Sequence, residues 1–158
     1  MSTTFPAVGT AAPAFSGKTQ DGKILSLQDF AGRKLALYFY PEDDTPVCTR
    51  QACNLRDHFR LLTEYGVSIV GISPNSQSDH DAFIQKYALP FPLIEDPAHV
   101  ILNQYGTWGE KNMYGNIVQG VLRYTFLIDE QGMIRHVFRK PKVDQHAQEI
   151  LRKFGLIP

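Results

Sequence analysis

The hydrophobic positions of this chain form short continuous runs separated by stretches of helical spacing. Residues 35–40 (LALYFY) and 67–72 are nearly continuous apolar runs, which are typical of central strands buried on both faces. Between them, apolar positions at helical spacing predict a helix that ends near Tyr65. A second helix, capped by Ser76 or Ser78, is expected to end near Tyr87. The first half of the chain therefore predicts strands that alternate with helices.

The second half predicts a short strand, a short helix, a loop, a hairpin and a last helix. These segments are residues 91–94 (strand), 97–105 (helix), 108–119 (a loop rich in Gly and Asn), 121–128 and 134–139 (strands joined by the turn DEQG), and a helix capped by Asp144 and ended by Gly155. Nearer the N-terminus, Asp21 and Gly22 between short mixed runs predict another hairpin. Strand–helix–strand units require parallel strands, and a terminal hairpin adds an antiparallel pair. The predicted fold class is therefore α/β, a thioredoxin-like fold with a central mixed sheet flanked by helices and an N-terminal β-hairpin.

The composition is that of a single globular domain, residues 1–158. Hydrophobic residues make up 43% of the chain and charged residues 20%. The equal numbers of basic and acidic residues, 16 each, give no electrostatic reason to expect nucleic acid or an anionic membrane as a partner. Residues 1–15 lack the basic residues and apolar core of a signal peptide, and no apolar run is long enough to span a membrane. We therefore expect a cytoplasmic protein.

Both cysteines lie in the segment TPVCTRQAC, directly after the first predicted central strand. In a reducing cytoplasm, such a pair is more often catalytic or transient than a permanent cross-link. Thr45 followed by Pro46 predicts a helix N-cap and first residue, which places Cys48 at the third helical position. A thiolate there would be stabilised by the positive end of the helix and its free N–H groups. The first turn after a central strand is also where α/β folds place their sites.

Core packing is the competing interpretation of Cys48. Free cysteine is among the residue types most often buried. Cys48 also begins an apolar helical face, which continues with Ala52, Leu55, Phe59 and Leu62. Periodicity alone therefore favours packing as much as reactivity.

The five-residue spacing between Cys48 and Cys53 limits how they can pair. On an ideal helix this offset is a rotation of roughly 140°, with the two Cα atoms about 8–9 Å apart. A disulfide requires a Cα separation below about 7 Å. The pair cannot be bridged while the helix is intact. The spacing therefore favours a catalytic cycle with local unfolding, or no pairing at all.

Arg123 is the one cation in the predicted strand of residues 121–128. A guanidinium group in so apolar a strand needs an anion or a carbonyl nearby. One interpretation is an edge arginine whose head group reaches solvent. The other is a site residue that faces a thiolate and an oxyanion.

Pro41, Thr45 and Cys48 form P-x-x-x-T-x-x-C, and the chain resembles the peroxiredoxins, whose active-site motif this is. The resemblance covers nearly the whole chain, including GISPNSQSDHDAFIQKYALPFPLIEDP, YGTWGEK and GVLRYTFLIDEQG. It points to the bacterioferritin comigratory protein, or Q-type, subgroup, whose members often carry a second cysteine five residues after the first. One position departs from the family, which usually has glycine where this chain has Val47.

The resemblance implies a thiol-dependent peroxidase that reduces hydrogen peroxide and alkyl hydroperoxides. It implies that Cys48 is the peroxidatic cysteine and Cys53 the resolving one. Pro41, Thr45 and Arg123 would complete the peroxide pocket. It also implies a monomer that is recycled by thioredoxin or glutaredoxin and needs no metal, flavin or haem.

Two other functions are compatible with the same fold class, and a non-catalytic interaction domain is a third alternative. A generic thiol–disulfide oxidoreductase would carry C-x-x-C and a facing cis-proline, whereas this chain has four residues between its cysteines. It also has no proline between Pro97 and Pro141. A copper-carrying protein of this fold would pair two cysteines with a histidine such as His136, but the five histidines show no ligand spacing. An interaction domain would leave the combination of Thr45, Cys48 and Arg123 unexplained.

Overall fold

The computed structural model describes residues 5–158, and a five-stranded mixed sheet forms its centre. The strands in chain order are β1 (Ser16–Lys18), β2 (Ile24–Ser26), β3 (Lys34–Phe39), β4 (Val67–Ser73), β5 (Leu93–Glu95), β6 (Trp108–Met113), β7 (Asn116–Val121), β8 (Thr125–Ile128) and β9 (Ile134–Phe138). The central sheet has the order β5-β4-β3-β8-β9. Strands β3, β4 and β5 are parallel, and β8 and β9 are antiparallel to their neighbours. This arrangement confirms the thioredoxin-like fold, with β1 and β2 as the N-terminal hairpin.

Helices cover both faces of this sheet. They are α1 (Pro46–Asp57), α2 (Phe59–Glu64), α3 (Gln77–Tyr87), α4 (Val100–Gln104) and α5 (His146–Lys153), with short 3-10 turns at Leu27–Phe30 and Val143–Gln145. In residues 5–158, no helix is both long and apolar enough to cross a membrane. As predicted, Ser76 caps α3 by accepting a hydrogen bond from the Asp79 amide.

The alternation of side chains along β3 divides the core in two. Ala36, Tyr38 and Tyr40 belong to the cluster that contains Cys48 and the apolar faces of α1 and α5. Residues on the opposite face of β3 belong to the second cluster with α4 and β8: they are Leu35, Leu37 and Phe39. Because both faces are covered, the strand is buried throughout residues 35–39, as the continuous apolar run predicted.

The prediction of a loop at residues 108–119 is wrong. This segment lies almost entirely in β6 and β7, which pair in register and form a separate antiparallel hairpin. Its tip is Tyr114-Gly115, and both residues have positive φ angles of 54° and 86°. A two-residue turn of this kind usually carries Asn-Gly or Asp-Gly. Tyrosine in the first position conceals the turn in the sequence.

Three other boundaries differ from the prediction. The helix expected to end near Tyr65 is two helices, because the chain leaves helical geometry at His58. The strand expected at residues 121–128 is interrupted at residues 122–124, which carry Arg123. Asp144 does not cap α5 but forms an ion pair with Arg50, at 3.3 Å.

The start and the end of α5 are fixed by other groups. The Asn54 side chain of α1 accepts a hydrogen bond from the Ala147 amide (2.8 Å) and therefore performs the capping role predicted for Asp144. Gly155 follows α5 with a φ angle of 74°, which confirms its prediction as the left-handed stop of this helix.

Candidate active site

Cys48 lies in the first turn of α1, directly after the loop that follows β3. Thr45 has the extended geometry of an N-cap residue and Pro46 begins the helix, so Cys48 is the third helical residue, as predicted. Its side chain is buried, with 2% of the residue exposed. Cys48, Ala52 and Leu55 all lie in the core, so the packing interpretation is correct as far as burial is concerned. Burial alone therefore does not decide between the packing interpretation and the reactive one.

The hydroxyl of Thr45 does not cap α1, contrary to the capping prediction. It donates a hydrogen bond to the Glu42 carbonyl at 3.0 Å, and in the described structure it makes no capping contact with a helix amide. A hydroxyl group has one hydrogen but two lone pairs. With its hydrogen directed at Glu42, Thr45 is left as an acceptor. It can therefore receive a hydrogen bond from a peroxide O–H group.

Arg123 contacts Cys48 directly. Its Nη2 lies 3.2 Å from the Cys48 Sγ, and its Nη1 donates to the Gln51 Oε1 at 2.8 Å. The irregular segment of residues 122–124, between β7 and β8, frees the side chain from the strict alternation of a strand. The guanidinium group is therefore directed at the sulfur, not extended into solvent as an edge arginine would be.

Gln51 is the residue at this site that sequence reasoning missed. It is fully buried on α1, three residues after Cys48 and on the same helix face. Because arginine can only donate, the amide oxygen of Gln51 must face Arg123 and its nitrogen must point away. That nitrogen has no hydrogen-bond partner within residues 5–158. The sequence signal that could have identified it is a glutamine beside Ala52, on the apolar helix face that begins at Cys48.

A buried tyrosine hydroxyl adds a further unused donor beneath α1. The Tyr38 ring stacks on Tyr40, with the ring centroids 5.3 Å apart. The Tyr38 hydroxyl finds no hydrogen-bond partner in the described part of the chain. Burial and the negative charge of Asp43 raise its pKa well above 10, so it remains a neutral O–H group.

A second cation, Lys111, lies near the site on β6. Its Nζ donates to the Val121 carbonyl at 2.9 Å. Burial, and to a lesser extent the positive charge of Arg123, lower the pKa of this ammonium group. Lys111 and Arg123 are therefore two basic residues close enough to Cys48 to affect its electrostatic environment.

Cys53 lies on the same unbroken helix as Cys48 and is half-buried. Both cysteines are free, and α1 is regular from Pro46 to Asp57. This is the separated arrangement that the five-residue spacing predicted for the reduced pair. Pro41 is half-buried at the end of β3, at the beginning of the loop that leads to Thr45.

The described residues lack the features on which the oxidoreductase and copper-carrier alternatives depend. No cis peptide bond occurs in the range from residue 5 to residue 158. Within the same range, no three His, Cys, Asp or Glu side chains are grouped so that they could hold a metal ion. His136 packs edge-on against Phe138, with the ring centroids 4.5 Å apart.

Comparison with known proteins places the chain in a family. The AhpC/TSA family model matches residues 8–137. The chain is 42% identical over 143 residues to the peroxiredoxin Bcp of Escherichia coli (strain K12), which covers 90% of this chain and 92% of that protein. A relative from Coxiella burnetii that carries the name bcp is 47% identical over 144 residues, covering 91% and 95%.

Solved structures give the same result. The Xanthomonas campestris bacterioferritin comigratory protein, described for its alkyl peroxide reduction activity, superposes with a TM-score of 0.83 at 33% identity. The match covers 89% of this chain and 90% of that one. BcpB from Mycobacterium tuberculosis superposes with a TM-score of 0.83 at 27% identity, covering 96% and 97%. The chain therefore belongs to the AhpC/TSA family of peroxiredoxins, in the bacterioferritin comigratory protein (Q-type) subgroup, and is a thiol-dependent peroxidase.

Proposed function

We propose that Cys48 is the sulfur that reacts with the peroxide and that Cys53 resolves the product. The observation that carries this assignment is the 3.2 Å contact between the Arg123 guanidinium and the Sγ of the buried Cys48. A charged donor on the sulfur favours the thiolate, which is the nucleophilic form. Cys53 lies outside the core cluster and has no comparable donor in the described contacts.

Ionisation of the thiol accounts for only part of the proposed rate enhancement. A free thiol is roughly 3% ionised at pH 7, so complete ionisation increases the nucleophile by only about thirtyfold. The site must therefore also stabilise the charge that develops as the O–O bond breaks. Arg123 is the charged donor for this purpose, and Gln51 holds its guanidinium group in place by accepting a hydrogen bond from Nη1.

The first step forms a sulfur–oxygen bond and breaks the peroxide bond. The Cys48 thiolate attacks one oxygen of the hydroperoxide, and the second oxygen leaves with the electron pair and takes a proton from water. Cys48 becomes a sulfenic acid, and the peroxide is released as water or an alcohol. Thr45 accepts a hydrogen bond from the peroxide and orients it, while Pro41, which has no N–H group, closes the pocket against water.

The second step joins the two cysteines. The Cys53 thiolate attacks the Cys48 sulfur, the S–O bond breaks, the oxygen leaves as hydroxide and takes a proton from the solvent, and a disulfide forms. Both cysteines lie on α1, so the turns between them must unwind before the sulfurs can meet. This movement also brings the disulfide out of the pocket, where a reductant can attack it.

We further propose the partners and the setting of the cycle. Peroxiredoxins use peroxides as substrates and thiols as reductants. For this chain we propose hydrogen peroxide and alkyl hydroperoxides as substrates and thioredoxin or glutaredoxin as the reductant. From the resemblance to the family we propose a monomer with one domain, residues 1–158, that acts in the cytoplasm.

Paired serine substitutions test the assignment of the two cysteines. Cys48→Ser should abolish peroxide consumption, because within residues 5–158 the Arg123 side chain contacts no other sulfur. Cys53→Ser should still consume about one equivalent of peroxide and then stop at the sulfenic acid. Hydrogen peroxide consumption is measured with a dithiol reductant for Cys48→Ser, and on reduced protein without a reductant for Cys53→Ser. Retained turnover in Cys48→Ser, or loss of the first equivalent in Cys53→Ser, would refute the proposed roles.

A further inference from the structure

The loop of residues 41–45, here called the active-site loop, joins β3 to α1. It carries Pro41 and Thr45, two residues of the proposed peroxide pocket. Its central residue, Asp43, turns its side chain inward, where only 5% of it is exposed. A carboxylate in such a position requires partners that replace water. Those partners determine where the loop lies.

Three groups hold Asp43. The Tyr40 hydroxyl donates to its Oδ1 at 2.5 Å, and the His80 Nδ1 lies 2.6 Å from its Oδ2. The backbone amide of Asp43 donates to the Asn75 Oδ1 at 3.0 Å. Asn75 is itself held by the Ser73 hydroxyl at the end of β4. The active-site loop is therefore fastened to α3 and to the end of the neighbouring strand.

His80 is fully buried, and both of its ring nitrogens face oxygen atoms. Nδ1 faces the Asp43 carboxylate, and Nε2 lies 3.1 Å from the Ile94 carbonyl. A carbonyl oxygen cannot donate, so Nε2 carries a hydrogen. Asp43 Oδ2 and His80 Nδ1 share one further hydrogen, while Asp43 Oδ1 accepts from Tyr40. The ring is therefore held through both of its nitrogens.

Such a pair has little value as a simple stabiliser of the fold. Buried pairs of polar or charged groups stabilise proteins no better than apolar residues of similar volume, because both groups lose their hydration. Their distinctive property is fixed geometry. Here the fixed group belongs to the loop between two pocket residues, and a displacement of about 1 Å at such a position can slow a reaction about 10²-fold.

We propose that His80 is a positioning residue of the peroxidase reaction, which holds the active-site loop through Asp43 and thereby sets Pro41 and Thr45 around Cys48. The proposal rests on the assignment of Cys48 as the reacting sulfur. His80 lies on α3 and forms part of neither the sulfur's contacts nor the recognised motif.

The substitution Asp43→Asn tests the pair, because it replaces the carboxyl group by an amide that can keep both hydrogen bonds. In Asp43→Asn, the amide Nδ2 can donate to a neutral His80 ring at Nδ1, while the amide oxygen still accepts from Tyr40. In His80→Leu, the buried carboxylate loses its partner. We expect His80→Leu to lower the second-order rate of Cys48 oxidation by hydrogen peroxide about tenfold or more. Asp43→Asn should stay within about threefold of the wild type.

Lys86→Met is the matched control, since it removes an ion pair from the same helix to the neighbouring loop residue. Lys86 and Asp44 are 2.7 Å apart but 58% and 40% exposed, so the rate should change less than about twofold. Nitrogen NMR of the histidine ring gives a readout that does not depend on rate. The wild type should show a protonated Nε2 and a hydrogen-bonded Nδ1 on His80, and Asp43→Asn should keep both.

Each outcome bears on the proposal. It is overturned if His80→Leu reacts within twofold of the wild type, if Asp43→Asn is as slow as His80→Leu, or if the wild-type Nε2 carries no hydrogen. The ring spectrum of the wild type decides the hydrogen-bond pattern even where His80→Leu does not fold. Turnover in Cys48→Ser would instead refute the assignment of the reacting sulfur, independently of His80.

Discussion

Replacing Arg123 by alanine tests the source of the rate enhancement. The substitution removes the donor that lies 3.2 Å from the Cys48 Sγ and leaves Gln51 without its partner. Loss of a single positioned donor to a developing negative charge costs about 10²–10³-fold in rate. We expect the second-order rate of Cys48 oxidation to fall about 10²-fold, which is about 2.7 kcal/mol of activation free energy.

Two further variants separate the charge of Arg123 from its geometry. Arg123→Lys should recover only part of the rate, because one ammonium group cannot contact both the sulfur and Gln51. Gln51→Met keeps the side-chain volume but removes the anchor, and should slow oxidation about tenfold. In the Arg123→Ala background the same Gln51→Met change should have almost no further effect, since its role passes through Arg123.

The assay is stopped-flow oxidation of reduced protein by hydrogen peroxide, followed by mass analysis of the product. The Trp108 fluorescence supplies an optical signal, since this is the one tryptophan of the chain. If Arg123→Ala lowers the rate less than about threefold, the contact with Cys48 is only a packing contact, and Arg123 is not the donor that stabilises the transition state. Additive effects of Arg123→Ala and Gln51→Met would separately refute the anchoring role of Gln51.

Three other predictions follow from the same structure. One equivalent of peroxide should unwind α1 as Cys48 and Cys53 form a disulfide, and the loss of helix should appear in far-ultraviolet circular dichroism and as faster amide exchange in residues 46–53. The Cys53→Ser variant should stay helical. A disulfide that forms without loss of helix would contradict this prediction. Tyr38→Phe should raise the free energy of unfolding by about 1 kcal/mol, because it removes a buried hydroxyl without a described partner. Tyr40→Phe should lower the free energy of unfolding, because its hydroxyl donates a hydrogen bond to the Asp43 carboxylate. Urea titrations that give the two changes the same sign would contradict this prediction. Burial lowers the pKa of His146 below 6.5, so the unfolded state binds a proton at a higher pH than the folded state does. The free energy of unfolding should therefore fall as the pH is lowered from 6.5 towards the folded-state pKa, and His146→Gln should reduce this slope in urea titrations.

The sequence predicted the central sheet because its strands are buried on both faces. The run at residues 35–40 has no polar position, which leaves few alternatives to a central strand. The hairpin of β6 and β7 was missed because its outer residues are exposed and its turn places Tyr114 at a positive φ angle. No hydrophobic alternation marks such strands, so only their backbone pairing identifies them.

The candidate site was predicted in part, and the gaps have physical causes. Cys48 could be placed because a threonine–proline pair fixes the start of a helix. The contact of Arg123 with Cys48 could not be derived from alternation, because residues 122–124 leave the strand geometry on which alternation depends. Asp43 and His80 are 37 positions apart, and their contact arises only when α3 packs beside the active-site loop. Tertiary contacts of this kind leave no periodic trace in one sequence.

The most direct test of the account is the identity of the first atom oxidised. Reduced protein is mixed with one equivalent of hydrogen peroxide, quenched with a thiol-blocking reagent at successive times and analysed by peptide mass. Cys48 should be oxidised first, and the later product should be a Cys48–Cys53 disulfide within a single chain. Early oxidation of Cys53 with Cys48 still reduced, or a Cys48 oxidation no faster than that of a free thiol, would contradict the account.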